Sequence, residues 1–355
     1  MHVILELLVS LTVSGSIVMF STLLLNFCRF RLPSKFRYML GKLAIGLYLV
    51  PIILLWKLIR SMLQIERTAV IPNTASLWTF PYEVGMYLLG IWGIGAIGFA
   101  VWQIYVYRRF VKKVYRSLTP ISSNDRIIHQ LHMLRKTLGI RSNVQMAYST
   151  VVHSPVLVGL RRPTIFFPTK IPSNANLSMI IHHELIHLKR KDLWLKALVL
   201  LVGSLHWFNP LVHMLRKDIH IWSELACDEE VVTKMTHSER KRYGETIMSV
   251  MMSSSKVPVR FSASLSDDGK KLQKRLNLML GVSKIKKRII IITTLAIMAV
   301  GTISVASAVW ASKHIPVVEA DTKLAKITTR TSIKSEGVIE RELSQHQHEK
   351  KQFQP

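Results

Sequence analysis

The chain has 355 residues, 49% of them hydrophobic, and 48 Lys plus Arg against 21 Asp plus Glu, a formal net charge of +27. Its mean hydropathy is +0.26. This composition excludes a disordered chain, a collagen-like chain and a disulfide scaffold. The two cysteines, Cys28 and Cys227, lie in settings that do not suggest a pair. So basic a soluble protein would suggest a nucleic-acid partner. Here the basic residues flank long apolar runs, which is the pattern of a membrane protein with its positive flanks in the cytoplasm.

Residues 3–27 form the first apolar run, long enough for the roughly 20 residues that a spanning helix needs. A cleaved signal peptide would need a basic start and a small-residue cleavage site. Instead His2 and Glu6 head the run and Arg29 and Arg31 follow it, so a retained span is expected. Further runs cover 39–59, 82–107 and 289–311. Arg29, Arg31, Lys35, Arg37 and Lys42 crowd the first connection. Arg108, Arg109, Lys112, Lys113 and Arg116 follow the third run, and Lys284, Lys286, Lys287 and Arg288 precede the fourth. The 60–81 connection carries few charges. The positive-inside rule then puts the N-terminus outside, 29–38 inside, 60–81 outside, 108–288 inside and 312–355 outside. Residues 193–215 are apolar only around Ala197–Leu205, too short a core to span, and are expected to be buried or half-sunk in the bilayer.

Residues 109–288 are enough for one domain. A basic helical stretch is expected to about 139, then short strands at Val144–Tyr148, Pro155–Val158 and Thr164–Phe167. Pro163 and Pro168 bracket the last of these, which suits an edge strand able to pair with an extended peptide or simply to end a sheet. Ser173, Asn174 or Asn176 can cap a helix over 177–190. Helix continues to about 252, residues 253–270 read as a Ser-rich loop, and 271–288 as a basic helix.

The helix at Leu177 carries His183-Glu184-Leu185-Ile186-His187. Two histidines four apart share one helix face and can coordinate one Zn²⁺, with Glu184 placed to act on a metal-bound water. In so apolar a helix these polar groups need a reason. A third ligand is required, and Glu224-Leu225-Ala226-Cys227-Asp228 supplies candidates. Glu224 can complete the site, and Asp228, four residues on, can hold the far nitrogen of a ligand histidine. A shared ion puts His187 and Glu224 on one side of the membrane, so 193–215 does not cross it once.

His183-Glu184-x-x-His187 followed by Glu224-x-x-x-Asp228, with three spans before and one after, resembles the BlaR/MecR-type integral-membrane zinc metallopeptidases of bacteria, a gluzincin family. Ser154-Pro155 … Gly159 … Pro163-x-Ile165-x-x-Pro168 and Trp207-x-Asn209-Pro210 are similar to elements on either side of that family's zinc helix. The resemblance covers roughly 1–311. It implies a multi-span α-helical protein of the cytoplasmic membrane with an α+β gluzincin-like domain at 109–288. It implies one Zn²⁺ on His183, His187 and Glu224, Glu184 as general base, and Asp228 behind a ligand. It further implies hydrolysis of a cytoplasmic protein such as a transcriptional repressor, or of the chain itself. Family members that sense β-lactams carry an outer penicillin-binding domain after the fourth span. Here 44 residues, Ser312 to Pro355, follow it, so no core and no direct β-lactam sensing are expected of them. Ser253-x-x-Lys256 lacks the companion motifs of an acylating site.

An oxyanion donor is expected near the metal, and His206, His213, His220 and Tyr243 are candidates. Lys270, Lys271, Lys274 and Arg275 are either a cleavage region or, as favoured, a patch on anionic lipid. Direct nucleic-acid binding is not expected. Two other functions share the sequence features: a housekeeping protease of membrane proteins, and a signalling scaffold with a structural zinc.

Overall fold

The computed structural model describes residues 2–27, 33–51, 62, 79–121, 126–173, 175–254, 267–281, 287–313 and 317–318. Helices α1 (His2–Phe27) and α2 (Ser34–Leu49) precede strand β1 (Thr79–Phe80) and the long helix α3 (Tyr82–Arg116). Then come β2 (Leu118–Pro120), α4 (Arg126–Leu138), β3 (Gln145–Ser149), β4 (Val156–Val158) and β5 (Thr164–Pro168). Helices α5 (Leu177–Lys189), α6 (Asp192–Leu205), α7 (Pro210–Val232), α8 (His237–Ser254), α9 (Asp267–Leu280) and α10 (Lys287–Lys313) follow, and β6 (Val317–Val318) ends the series.

The described residues fall into two compact units. The smaller draws on 1–10, 52–94 and 308–355, and in it β1 pairs with β6 in parallel. The larger draws on 11–51 and 95–307. Among the described residues, three stretches are long and apolar enough to cross a membrane: Val3–Leu25, Tyr82–Arg116 and Ile290–Ala311. The run expected at 39–59 is described only through Pro51. Cys28, residues 52–59, most of the 60–81 connection, Asn174, Lys256 and most of the tail lie outside the described residues.

A four-stranded sheet in the order β2-β3-β5-β4 forms one layer of the larger unit. β5 runs parallel to β3 and antiparallel to β4. Ile165 and Phe167 face a core shared with Leu131 of α4, Ile181 and Leu185 of α5 and Val250 of α8. Phe166 points the other way, onto Val114 of α3. A strand covered on both faces reads as a continuous apolar run. This corrects the expectation of an edge at 164–167: its prolines stand at the ends, its interior amides stay in the ladder, and the edges are β2 and β4. The basic helix expected to 139 is likewise interrupted, because Leu118–Pro120 pair antiparallel with β3.

Of the three proposed caps, Asn176 begins α5, its side chain accepting from the Met179 amide at 3.3 Å. Asn209 does the same for α7 through Leu211, with Pro210 in the first helical position. α6 has 14 residues, fewer than a span needs. It buries Val199, Val202 and Ser204 and exposes Trp194, Leu198 and Leu201. α2 packs along α7 and α6. A Cβ on Gly41 would stand 2.5 Å from Ile219 Cδ1, so α2 and α7 approach where α2 has no side chain.

Candidate metal centre

α5 and α7 pack together and bring the two sequence motifs face to face. His183 Nε2 and His187 Nε2 stand 3.1 Å apart. Glu224 Oε2 is 3.4 Å from the first and Oε1 is 3.4 Å from the second. Ligand atoms on a tetrahedral metal with bonds near 2.0–2.1 Å are about 3.3 Å apart, so the three side chains fit such an ion.

The far nitrogens explain why both Nε2 atoms face inward. His187 Nδ1 donates to Asp192 Oδ2 at 2.7 Å. His183 Nδ1 donates to the Tyr243 hydroxyl at 2.8 Å, which in turn donates to Asp228 Oδ1 at 2.8 Å. Each Nδ1 therefore carries the proton, leaving a lone pair on each Nε2. Two such lone pairs beside two carboxylate oxygens call for a cation between them.

His183, His187 and Cys227 also place ligand-type atoms within 4.8 Å of one another. Cys227 Sγ, however, donates to the His183 carbonyl oxygen at 3.4 Å and lies 3.6 Å from His183 Nδ1, the nitrogen turned away from His187. Glu224 is the donor that meets both Nε2 atoms. It is partly open, at 22% side-chain exposure. Glu184 is buried one residue from His183 on α5.

The charges are matched around this cluster. Burial would raise the Glu224 carboxyl, but His187, His183 and Arg275 outweigh it and hold it well below the usual range. Burial works the same way on Asp228, and Arg275 overrides it downward. Arg275 Nε and Nη2 grip the two Asp228 oxygens at 2.6 and 2.9 Å, and Nη1 is 3.6 Å from Glu224 Oε2. Asp192 is also held low: burial opposes this, and His187, Arg190 and Tyr38 overcome it.

Residues 53–279, well over half of the chain, match the BlaR1 peptidase M56 family. The chain belongs to that family. It is 29% identical over 160 residues to the regulatory protein BlaR1 of Bacillus licheniformis, covering 42% of this chain and 27% of that protein. It is 27% identical over 165 residues to the methicillin resistance mecR1 protein of Staphylococcus aureus, covering 45% of this chain and 28% of that protein. The matched region thus spans little more than a quarter of the length of these relatives.

In this M56 chain the structure reassigns several residues. Arg275 was expected in a lipid-facing patch; α9 instead carries it to Asp228, with 12% of its side chain exposed. Tyr243 sits behind His183, not on the open side. His206 bonds the Tyr48 carbonyl and Thr12, and His213 bonds the Trp207 carbonyl. Among the four oxyanion candidates, His220 is the one on the open side, 4.0 Å from Glu224 Oε1 with 67% of its side chain exposed. Asp192 was missed. Its one signal was a carboxylate opening the next helix five residues after His187. A cavity of about 300 Å³ adjoins His187, with Ile140, Leu160, Leu193 and Trp194 beside Arg161 and Lys189.

Proposed function

We propose that this M56 chain is a membrane-embedded zinc endopeptidase that acts in transmembrane signalling by hydrolysing a cytoplasmic protein, a transcriptional repressor in the first instance and its own chain in the second. His183, His187 and Glu224 would hold one Zn²⁺, with Asp228 behind His183 and Glu184 as general base. The observation that carries this reading is the convergence of two Nε2 atoms and one carboxylate within 3.1–3.4 Å. When bound, zinc supplies Lewis acidity, lowering the pKa of a water and polarising a carbonyl. Glu184 takes the proton from the attacking water and delivers it to the leaving amine. The β4 edge packs against α5, and an extended substrate added to it would lie along the zinc helix.

The four apolar runs, with 109–288 on the cytoplasmic side and both termini outside, follow from the distribution of basic residues. The relatives, a regulatory protein and a methicillin resistance protein, support a role in signalling. A scaffold with a structural zinc would need a closed, four-ligand site. Cys227 is the nearest further donor, and its bond to the His183 carbonyl argues against that use.

Zinc per chain in detergent-purified protein tests the reading. About one zinc is expected, lost in Glu224→Ala and kept in Glu184→Gln. Cleavage of a co-expressed winged-helix repressor should fall about 10²–10⁴-fold in Glu184→Gln. Zinc without any Glu184-dependent cleavage would favour the scaffold. Cleavage of misfolded membrane proteins instead of the repressor would favour a housekeeping protease. No zinc in any form would end the enzyme reading.

A further inference from the structure

We infer that Tyr38 and Arg275 are positioning residues of the metal centre, each fixing one ligand histidine through a buried carboxylate. The inference rests on the zinc reading above and adds what holds the site in register.

On the His187 side the carboxylate is Asp192, only 1% exposed. Its Oδ2 takes His187 Nδ1 at 2.7 Å and the Ser223 hydroxyl at 2.8 Å. Its Oδ1 accepts from the Tyr38 hydroxyl. The Tyr38 ring is itself clamped: Lys42 Nζ and the Arg190 guanidinium carbon each stand 4.3 Å from its centroid. Tyr38 therefore sets, together with Ser223 and with Arg190 Nε 3.6 Å from Oδ1, where Asp192 sits, and Asp192 sets how the His187 ring is turned.

On the His183 side the carboxylate is Asp228, fully buried. It takes Tyr243 from α8 and the two-pronged Arg275 fork from α9. A guanidinium fork fixes a carboxylate in plane as well as in distance. The third Arg275 nitrogen reaches toward Glu224, so one side chain touches a ligand and the partner of another.

Neither anchor comes from the stretch between His183 and Asp228. Tyr38 is on α2, and Arg275 is on α9, which precedes the apolar helix α10. Both anchors are therefore in place only while α2 and α9 are docked on the α5–α7 pair, and they add to the Ser223 and Arg190 contacts on Asp192 and the Tyr243 contact on Asp228. A small displacement of either helix removes one anchor from a carboxylate and loosens the histidine behind which it stands. Partners of this kind are commonly worth 10- to 100-fold in metal affinity.

The test is zinc retention by the full-length, detergent-purified protein against a graded series of chelators. Arg275→Gln should weaken retention about 10- to 100-fold, with part restored in Arg275→Lys, which keeps the charge but not the fork. Tyr38→Phe deletes one hydroxyl and leaves the clamped ring; about a fivefold loss is expected. Tyr48→Phe is the control, since that hydroxyl lies on the same helix but bonds Ser16 and Asn209. It should leave retention unchanged. In an Asp192→Ala background, which leaves the Tyr38 hydroxyl no acceptor at that position, Tyr38→Phe should cost nothing further. Equal retention in all variants overturns the inference. So does an equal loss in Tyr48→Phe, which would mark a general loosening of α2. A wild-type protein that holds no zinc fails at the earlier step and refutes the metal reading itself.

Discussion

α5 and α3 are both apolar helices, and they spend that character in opposite ways. On α5 Ile181 is 0% exposed and its neighbours close a core; on α3 Ile94 is 76% exposed. Between Val84 and Val106 α3 carries no Asp, Glu, Lys or Arg. α5 instead buries His183, Glu184 and His187 among Ile180, Ile181, Leu185 and Ile186. Apolar composition alone does not say which medium a helix faces. Buried polar groups do, because each must be satisfied by a partner that only a packed neighbour supplies.

The sharpest way to break this contrast is to truncate both helices. Leu185→Ala leaves a cavity between α5 and the sheet and should cost about 2–5 kcal/mol. Ile94→Ala removes an exposed side chain and should stay within about 0.5 kcal/mol in detergent. Thermal unfolding of the two purified variants gives the comparison. Equal losses would mean that α3 has a protein partner on its exposed face.

Acid offers a second, smaller separation. Asp192 and Asp228 titrate below the usual carboxylate range, so their contribution is complete above about pH 4, the value for an unfolded aspartate. It is lost as pH falls through their lower folded values. The centre should therefore loosen at about pH 4 and below, while α3 and α10, whose stretches 84–106 and 290–311 carry no Asp, Glu, Lys or Arg, keep their helical signal. Far-ultraviolet circular dichroism beside near-ultraviolet tyrosine and tryptophan signals would follow the two. Parallel loss of both signals would show that the helices stand only on the centre.

The same contrast shows what was legible in the sequence. His183 and His187 were readable because helical periodicity converts a spacing of four into one face, and the same rule found Glu224 and Asp228. Asn176 was readable as one of three candidate caps because capping is a local rule; the same rule applies to Asn209 ahead of Pro210, a cap that was missed. The central place of β5 was not: the prolines at its ends looked like those of an edge, and only its two covered faces, through Phe166 and through Ile165 and Phe167, tell otherwise. Arg275 was misread for a related reason. Beside Lys270, Lys271 and Lys274 it looks like one of a basic group, and no spacing rule links α9 to Asp228 across 47 residues. Tyr38 is further still, 154 residues from Asp192. Contacts of that separation belong to the packing of α2 and α9, which periodicity does not encode.

The smallest expected effect concerns how a helix begins. α8 opens with a reciprocal cap: the Thr236 amide donates to Glu239 Oε2 at 2.7 Å, and the Glu239 amide donates to Thr236 Oγ1 at 3.4 Å. The start of α3 rests on backbone bonds from Val84 and Gly85 to the Pro81 carbonyl, at 3.1 and 3.4 Å. Thr236→Ala should thus cost about 0.5–2 kcal/mol, and Pro81→Ala less, since it leaves the carbonyl in place. The Glu239 carboxylate is held below its ordinary value by the Thr236 amide and hydroxyl. Its share of the cap is present above the usual glutamate range and fades in acid, so the cost of Thr236→Ala should shrink as pH is lowered through that range. A cost that does not change with pH would mean that the hydroxyl of Thr236 caps α8 without help from Glu239.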